Sequence, residues 1–341
     1  MTPLDGPYHH LKVADVIEET NDSKSFVFEI PEELVERFHY QSGQFLTFRV
    51  EVEGHRVVRC YSLASAPVLD ARPKVTVKRV VDGRASNWMN DEVAVGSMLE
   101  VMPPAGHFCL RDRDTPIVLF SGGSGITPMI SIIKTALETT SRSLMLLYAN
   151  RNDQSVIFKD ELAALFLAHG DRFELVHRLD DVHGFVDAAL VIQEIGPKLD
   201  ADFYICGPGP FMDVVESALA SLSIDEGQVF IERFESADSS VAPASVDTSA
   251  GAVVAIKLDG TETEVEIGDG ETILAAARRA GLEPPFACEE AYCGCCMAKV
   301  VEGEVEMTFN DGGIDQRQID DGWVLTCQGI VKGRARVEYP D

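Results

Sequence analysis

Residues 287–300 read ACEEAYCGCCMAKV, and the positions of the sulfurs in this stretch decide how the chain is to be read. Cys288, Cys293 and Cys296 follow the spacing C-x4-C-x2-C, and Cys327 comes 31 residues later in WVLTCQ. Eight cysteines are present, five of them between 288 and 327. A disulfide framework spreads its cysteines and suits a small secreted chain, whereas clustering within 341 residues points to metal. Structural zinc favours paired C-x2-C units or histidine partners, and neither is near.

The spacing is that of plant-type [2Fe–2S] ferredoxins. Two irons present four terminal thiolate positions, so Cys288, Cys293, Cys296 and Cys327 are the expected ligands. Three wrap the cluster from one tight loop and the fourth closes it from a distant strand. Gly294 and Ala291 are small enough to let backbone N–H groups approach the sulfurs. Cys295 fits no ligand position and reads as a spare thiol packed beside the loop.

Outward from this loop lies a module over 252–341. It opens with VVAIKLDGTETEVEI, a hairpin turning at Asp-Gly. The helix TILAAARRAG follows and ends at Gly281. Before the module, 235–251 (ESADSSVAPASVDTSAG) has no hydrophobic period and reads as a flexible linker. The remaining 1–234 divides by pattern. Up to about 112, short β-branched strands broken by Gly, Pro and Asp predict an antiparallel barrel interrupted by a helix near 84–91. Over 113–234, apolar strands such as PIVLF, LMLLYAN and DFYICG alternate with helices from Thr127, at 156–169 and at 209–222. That alternation predicts a doubly wound parallel sheet. The expected architecture is therefore a β-barrel, an α/β domain, a linker and an α+β ferredoxin module.

Two barrel stretches suit a flavin. In Arg59-Cys60-Tyr61-Ser62, Arg59 could pair with a diphosphate, Tyr61 could stack on the ring and Ser62 could reach its N5 edge. In VTVKRVVDGRASNW, Val77 and Lys78 precede Gly83 and Ser86 at a predicted helix start, where phosphate binds readily. Taken singly, these would serve equally as a half-buried strand and an ordinary helix cap. In the α/β half, FSGGSGITPM places Gly122, Gly123, Ser124, Gly125 and Thr127 at a strand-to-helix turn suited to a pyrophosphate. YICGPGPFM places Cys206, Gly207 and Pro208 at the end of another strand, on the same expected edge. Arg151 ends the strand LMLLYAN, where it could meet the 2′-phosphate of NADPH or the adenosine of NADH.

The formal charge is -27 with a pI near 4.6, which excludes nucleic acid and anionic membranes as partners. No signal peptide and no run of 18 apolar residues is visible, so the expected location is the cytoplasm.

The order RCYS, GRAS, GGSGIT, CGPGPFM and C-x4-C-x2-C…C resembles the ferredoxin–NADP⁺ reductase superfamily over nearly the whole chain. Within it, the chain resembles the oxygenase reductase components that carry a C-terminal plant-type ferredoxin domain. RCYSLASAP, YANRNDQSVIF and the FND of MTFND look closest to the 3-ketosteroid 9α-hydroxylase reductases. The chain departs from many relatives at CGCC. The resemblance implies FAD, a [2Fe–2S] cluster and NADH as coenzyme, with NADPH possible. It implies Ser62 and Cys206 beside the reacting flavin and nicotinamide, and Phe234 near the flavin. The implied partner is a terminal Rieske-type oxygenase. The alternatives are the reductase of a phenylacetyl-CoA or aromatic-ring oxygenase and, in another class, a redox-sensing iron–sulfur flavoprotein.

Overall fold

The computed structural model describes residues 8–234, 251–286, 289, 291, 293–310, 313–314 and 316–340. The expected ligand Cys288 and the linker up to residue 250 lie outside them. The chain packs as two compact units, one of His9–Glu53 with Tyr61–Phe234 and one of Gly54–Cys60 with the C-terminal residues.

Six strands build the N-terminal sheet: β1 (His9–Thr20), β2 (Ser23–Glu29), β3 (Phe45–Val52), β4 (His55–Ser62), β5 (Lys74–Lys78) and β6 (Met98–Val101). Their order is β4-β3-β6-β1-β2-β5. Inward positions alternate along the strands, so Leu11, Val13, Phe26 and Phe28 are fully buried. Beyond β4, Leu63 bridges Val75 of β5 and the Ala64 amide donates to the Lys74 carbonyl at 2.7 Å. These bonds join the two ends of the sheet and close the barrel. Helix α1 (Arg84–Glu92) follows β5.

The second half is the predicted parallel sheet. Strands β7 (Ile117–Gly122), β8 (Leu144–Asn150), β9 (Phe173–Leu179), β10 (Asp202–Cys206) and β11 (Val229–Glu232) pair in the order β11-β10-β7-β8-β9. Ile117–Phe120 and Phe203–Cys206 are wholly buried because helices cover both faces. Helices α2 (Ile126–Thr139) and α3 (Lys159–His169) pack on one face. The short α4 (Asp180–His183) follows β9, and α5 (Ala188–Ile195) and α6 (Gly209–Ser221) cover the second face. The helix expected over 156–169 begins only at Lys159. Asn152 and Ser155 form a capping box around a separate 3-10 turn, and Phe158 is left-handed (φ 59°), so the chain cannot enter the helix earlier. Helices α4 and α5 were not anticipated. The second starts where Asp187 accepts from the Leu190 amide at 2.8 Å.

The C-terminal module is a mixed sheet of β12 (Ala252–Leu258), β13 (Thr261–Ile267), β14 (Met297–Met307), β15 (Trp323–Leu325) and β16 (Gly329–Glu338), in the order β13-β12-β16-β14-β15. The β12–β13 turn is the expected Asp-Gly pair, with Asp259 and Gly260 both at positive φ, as a two-residue hairpin requires. Helix α7 (Ile273–Arg279) buries Ile273, Ala276 and Ala277 on this sheet, and α8 (Gln316–Asp320) borders β15.

At the amino end of the parallel sheet, Asp202 is buried between Arg142 (2.5 Å) and Arg113 (2.9 Å). Removing one member of a buried pair strands the other in low dielectric. Asp202→Ala is therefore expected to destabilise this half by about 3–5 kcal/mol, measured as a lower urea midpoint at unchanged slope.

Candidate functional site

The two glycine-bearing loops meet at the carboxyl edge of the parallel sheet, where ligands of open α/β folds bind. A Cβ on Gly125 would stand 2.1 Å from the Cys206 carbonyl oxygen, and one on Gly207 would stand 2.9 Å from the Gly122 nitrogen. Only bare backbone fits, and this is what brings Gly122, Gly123, Ser124 and Gly125 against Cys206, Gly207 and Pro208. Gly123 has φ 53°. Its carbonyl accepts from the Tyr148 hydroxyl at 2.9 Å, and Thr127 Oγ1 donates to the Ser124 carbonyl at 3.0 Å. The loop is thus pinned at both ends just before the amino terminus of α2. Lys78 Nζ lies 3.8 Å from where a Gly123 Cβ would stand, so an ammonium faces the loop.

Register places three polar side chains in one row across the ends of β7, β10 and β11. Cys206 pairs with Ser121 on one side and with Glu232 on the other. All three are buried. Ser121 Oγ and Glu232 Oε2 have no hydrogen-bond partner among the described residues. Burial pushes the Glu232 carboxyl up to about 8, so it carries a proton at neutral pH. Burial, with Glu232 beside it, also holds the Cys206 thiol well above its usual range, so it stays neutral. The sequence reading missed Glu232. Its only sign was an acid closing the apolar strand QVFIE, an uneconomical place for a charge unless it faces a ligand.

On the barrel side, Ser62 Oγ is also buried without a hydrogen-bond partner among the described residues. Ser62 stands two residues before Ala64, which packs into the same core as Cys206. Tyr61 packs at 5.7 Å against Phe48, and Arg59 lies half-buried on β4 with Nη1 donating to the Val58 carbonyl at 2.8 Å. Val77 is buried in the barrel. Gly83 caps α1, but the Ser86 hydroxyl turns back onto the loop, accepting from the Val80 amide at 3.1 Å. Phe234 is exposed. Arg151, at the end of β8, is bound to Asp22 at 2.9 Å.

In the C-terminal module, Cys293, Cys296 and Cys327 are buried. The Cys296 thiol, hydrogen-bonded to Cys327 and buried, is pushed up, while Cys327, receiving that bond, is held down. The Cys296 and Cys327 thiols thus lie within hydrogen-bond reach of each other. Glu289 and Ala291 adopt positive φ (53° and 63°), with Gly294 at 71°. Non-glycine residues hold such φ only where their surroundings enforce it. Here Arg278 pairs with Glu289 at 2.9 Å, Gln328 Nε2 donates to the Glu289 carbonyl at 3.1 Å, and the Gly313 amide donates to the Ala291 carbonyl at 2.9 Å. Cys295 is buried, and its amide donates to Cys293 Sγ at 3.4 Å.

Residues 10–109, 119–217 and 256–332 match, in order, an oxidoreductase FAD-binding domain, an oxidoreductase NAD-binding domain and a 2Fe-2S iron-sulfur cluster binding domain. Over 338 residues the chain is 41% identical to the ferredoxin reductase component of 3-ketosteroid-9-alpha-monooxygenase from Rhodococcus rhodochrous, with 96% of each chain covered. The chain belongs to this family of flavin and iron–sulfur reductases. The reductase is also 34% identical over 340 residues to one of the chains of the 1,2-phenylacetyl-CoA epoxidase of Escherichia coli, covering 95% of each. Phthalate dioxygenase reductase, whose structure is described as modular for electron transfer from pyridine nucleotides to [2Fe-2S], superimposes with a TM-score of 0.63 at 25% identity, covering 99% of this chain and all of that one.

The residues present fit these groups. The orphaned hydroxyls of Ser62 and Ser121 and the glycine cradle supply donors and space that the protein itself leaves unused, and the adjacent thiols of Cys296 and Cys327 are soft donors suited to iron.

Two expectations follow. Glu232 has a folded pKa raised above its ordinary 4.5, so its contribution to stability is complete below 4.5 and is lost as pH rises through about 8. Glu232→Gln should flatten the decline in melting temperature across that window. Cys295→Ser should keep the visible absorption of about one cluster per chain, whereas Cys296→Ser should lose it, since four thiolates are required.

Proposed function

We propose that this reductase is the electron-transfer component of a 3-ketosteroid 9α-hydroxylase, serving a terminal Rieske-type oxygenase with electrons from NADH. The observation that carries the proposal is 41% identity over 338 residues, an alignment that spans all three domains, to a 3-ketosteroid-9-alpha-monooxygenase reductase component. Bound FAD would supply a hydride acceptor for NADH, and a [2Fe–2S] cluster would supply one-electron transfer onward.

The chain's own part is to bind, orient and hold protons. Residues 1–112 form the FAD domain, 113–234 the NAD domain, 235–251 the linker and 252–341 the ferredoxin domain. Arg59, Tyr61, Ser62, Val77, Lys78, Gly83, Ser86 and Phe234 serve the flavin. The Gly122–Gly125 turn, Thr127, Arg151, Cys206, Gly207 and Pro208 serve the nicotinamide coenzyme. Buried Ser62 would donate to the flavin edge through its unused hydroxyl, and neutral Cys206 would abut the nicotinamide without a competing charge. Cys288, Cys293, Cys296 and Cys327 hold the cluster. Thiolate ligands of this kind persist where cysteines stay reduced, which suits the cytoplasm.

The ferredoxin domain carries 18 Asp and Glu against 8 Lys and Arg, a net charge of -10, and suits a basic docking face on the oxygenase. Reconstitution tests the proposal. NADH should bleach the flavin and then the cluster bands, and turnover should appear with a ketosteroid oxygenase and not with a phenylacetyl-CoA oxygenase. Turnover only with the latter would transfer the assignment to that system, and a flavin unbleached by NADH would favour a sensor. Delivery to the oxygenase should slow severalfold from about 0.01 to 0.15 M salt, as the screening length falls from roughly 30 to 8 Å, while flavin bleaching by NADH should not.

A further inference from the structure

Arg151 stands at the carboxyl end of β8, where an arginine of a dinucleotide fold can receive an adenosine 2′-phosphate. Its guanidinium is already engaged. Arg151 Nη2 donates to Asp22 Oδ2 at 2.9 Å, across 129 positions of sequence. Asp22 belongs to the barrel, in the turn between β1 and β2, and its position is fixed locally. Its Oδ1 accepts from Thr20 Oγ1 at 2.8 Å and its backbone carbonyl accepts from the Arg79 amide at 2.7 Å. The carboxylate is therefore held by the flavin lobe and presented to the nucleotide lobe.

The other groups nearby sharpen the point. Lys78 Nζ lies 3.9 Å from Asp22 and faces the Gly123 turn, so its charge is directed at the diphosphate loop that both coenzymes use. On the far side, the Arg151 carbonyl accepts from the Asp181 amide at 3.1 Å, which brings the acidic start of α4, Asp180-Asp181, alongside. A ribose diol suits carboxylate neighbours, because its hydroxyls donate. A phosphate with nearly two negative charges does not.

We propose that Asp22 is the coenzyme-selecting residue: it occupies the Arg151 guanidinium and sets a carboxylate at the place a 2′-phosphate would need, so that the reductase takes NADH and rejects NADPH. The inference rests on the nicotinamide reading given above. Exposed ion pairs add little to stability, and none is required here. What matters is which partner Arg151 already has when the coenzyme arrives.

The test is nucleotide binding by the FAD-loaded full chain, followed by calorimetry with 5′-AMP and with adenosine 2′,5′-bisphosphate. Asn keeps the shape of Asp22 and can still accept from Thr20. In Asp22→Asn the affinity for the bisphosphate relative to 5′-AMP should rise about tenfold, or roughly 1.4 kcal/mol, and the NADPH-to-NADH ratio of kcat/KM should rise in parallel. The gain should vanish in Asp22→Asn with Arg151→Gln. A relative affinity that stays within twofold of the native value, or a gain that survives loss of Arg151, would overturn the role of Asp22 while 5′-AMP still binds. If the native chain bound neither nucleotide and NADH left its flavin unbleached, the nicotinamide reading would fall, and the proposal with it.

Discussion

Helix α2 is clamped to the barrel, and the geometry of the flavin–nicotinamide half depends on that clamp. Ser131 Oγ donates to the Ser65 carbonyl at 2.6 Å inside the core, and Tyr40 OH meets Ser65 Oγ at 2.7 Å. One turn further, Lys134 reaches Asp70 at 2.8 Å and Glu161 at 2.7 Å. Burial alone would push that ammonium down, but its bonds to Asp70 and Glu161 outweigh the penalty and hold it charged. The helix that starts at the nucleotide loop is thereby tied to residues 65–70, directly beyond Ser62, and to α3 through Glu161. A shift of about 1 Å in such a helix would misalign donor and acceptor together, and displacements of that size cost rate steeply.

Glycine contact is the second constraint. The two loops at the carboxyl edge of the parallel sheet approach closely without side chains between them. The Gly125 backbone lies so near the Cys206 carbonyl that even a methyl group is excluded. The same approach sets Ser121, Cys206 and Glu232 in register. A neutral thiol and a protonated acid then stand side by side in a buried row, both held uncharged chiefly by burial.

Much of this was legible in the sequence, because the relevant signals are local. The Asp259-Gly260 turn, the apolar runs of β7, β8 and β10 and the two glycine loops each act over a few residues, and each appears where it was expected. What stayed hidden depends on partners far along the chain. Glu232 looks like an ordinary strand end until register puts it beside Cys206, and Arg151 looks available until a turn 129 residues away supplies Asp22. The start of α3 was misjudged for a related reason. The apolar run Val156-Ile157-Phe158 reads as a first helical turn, but it is buried as a plug in the core beneath α2 and α3, with Phe158 left-handed to allow it.

The bridge between Leu63 and Val75 has one more effect. An open sheet of six strands would offer two rows of unpaired amides and carbonyls, a template on which a second molecule can add a strand and begin to polymerise. Here the seam is closed by residues only a dozen positions apart, through a segment that also carries Asp70 to Lys134. Among the described residues, the bridge and the Ala64–Lys74 bond join the edge beyond β4 to β5, so at that seam the strand edges pair with each other and not with a neighbour.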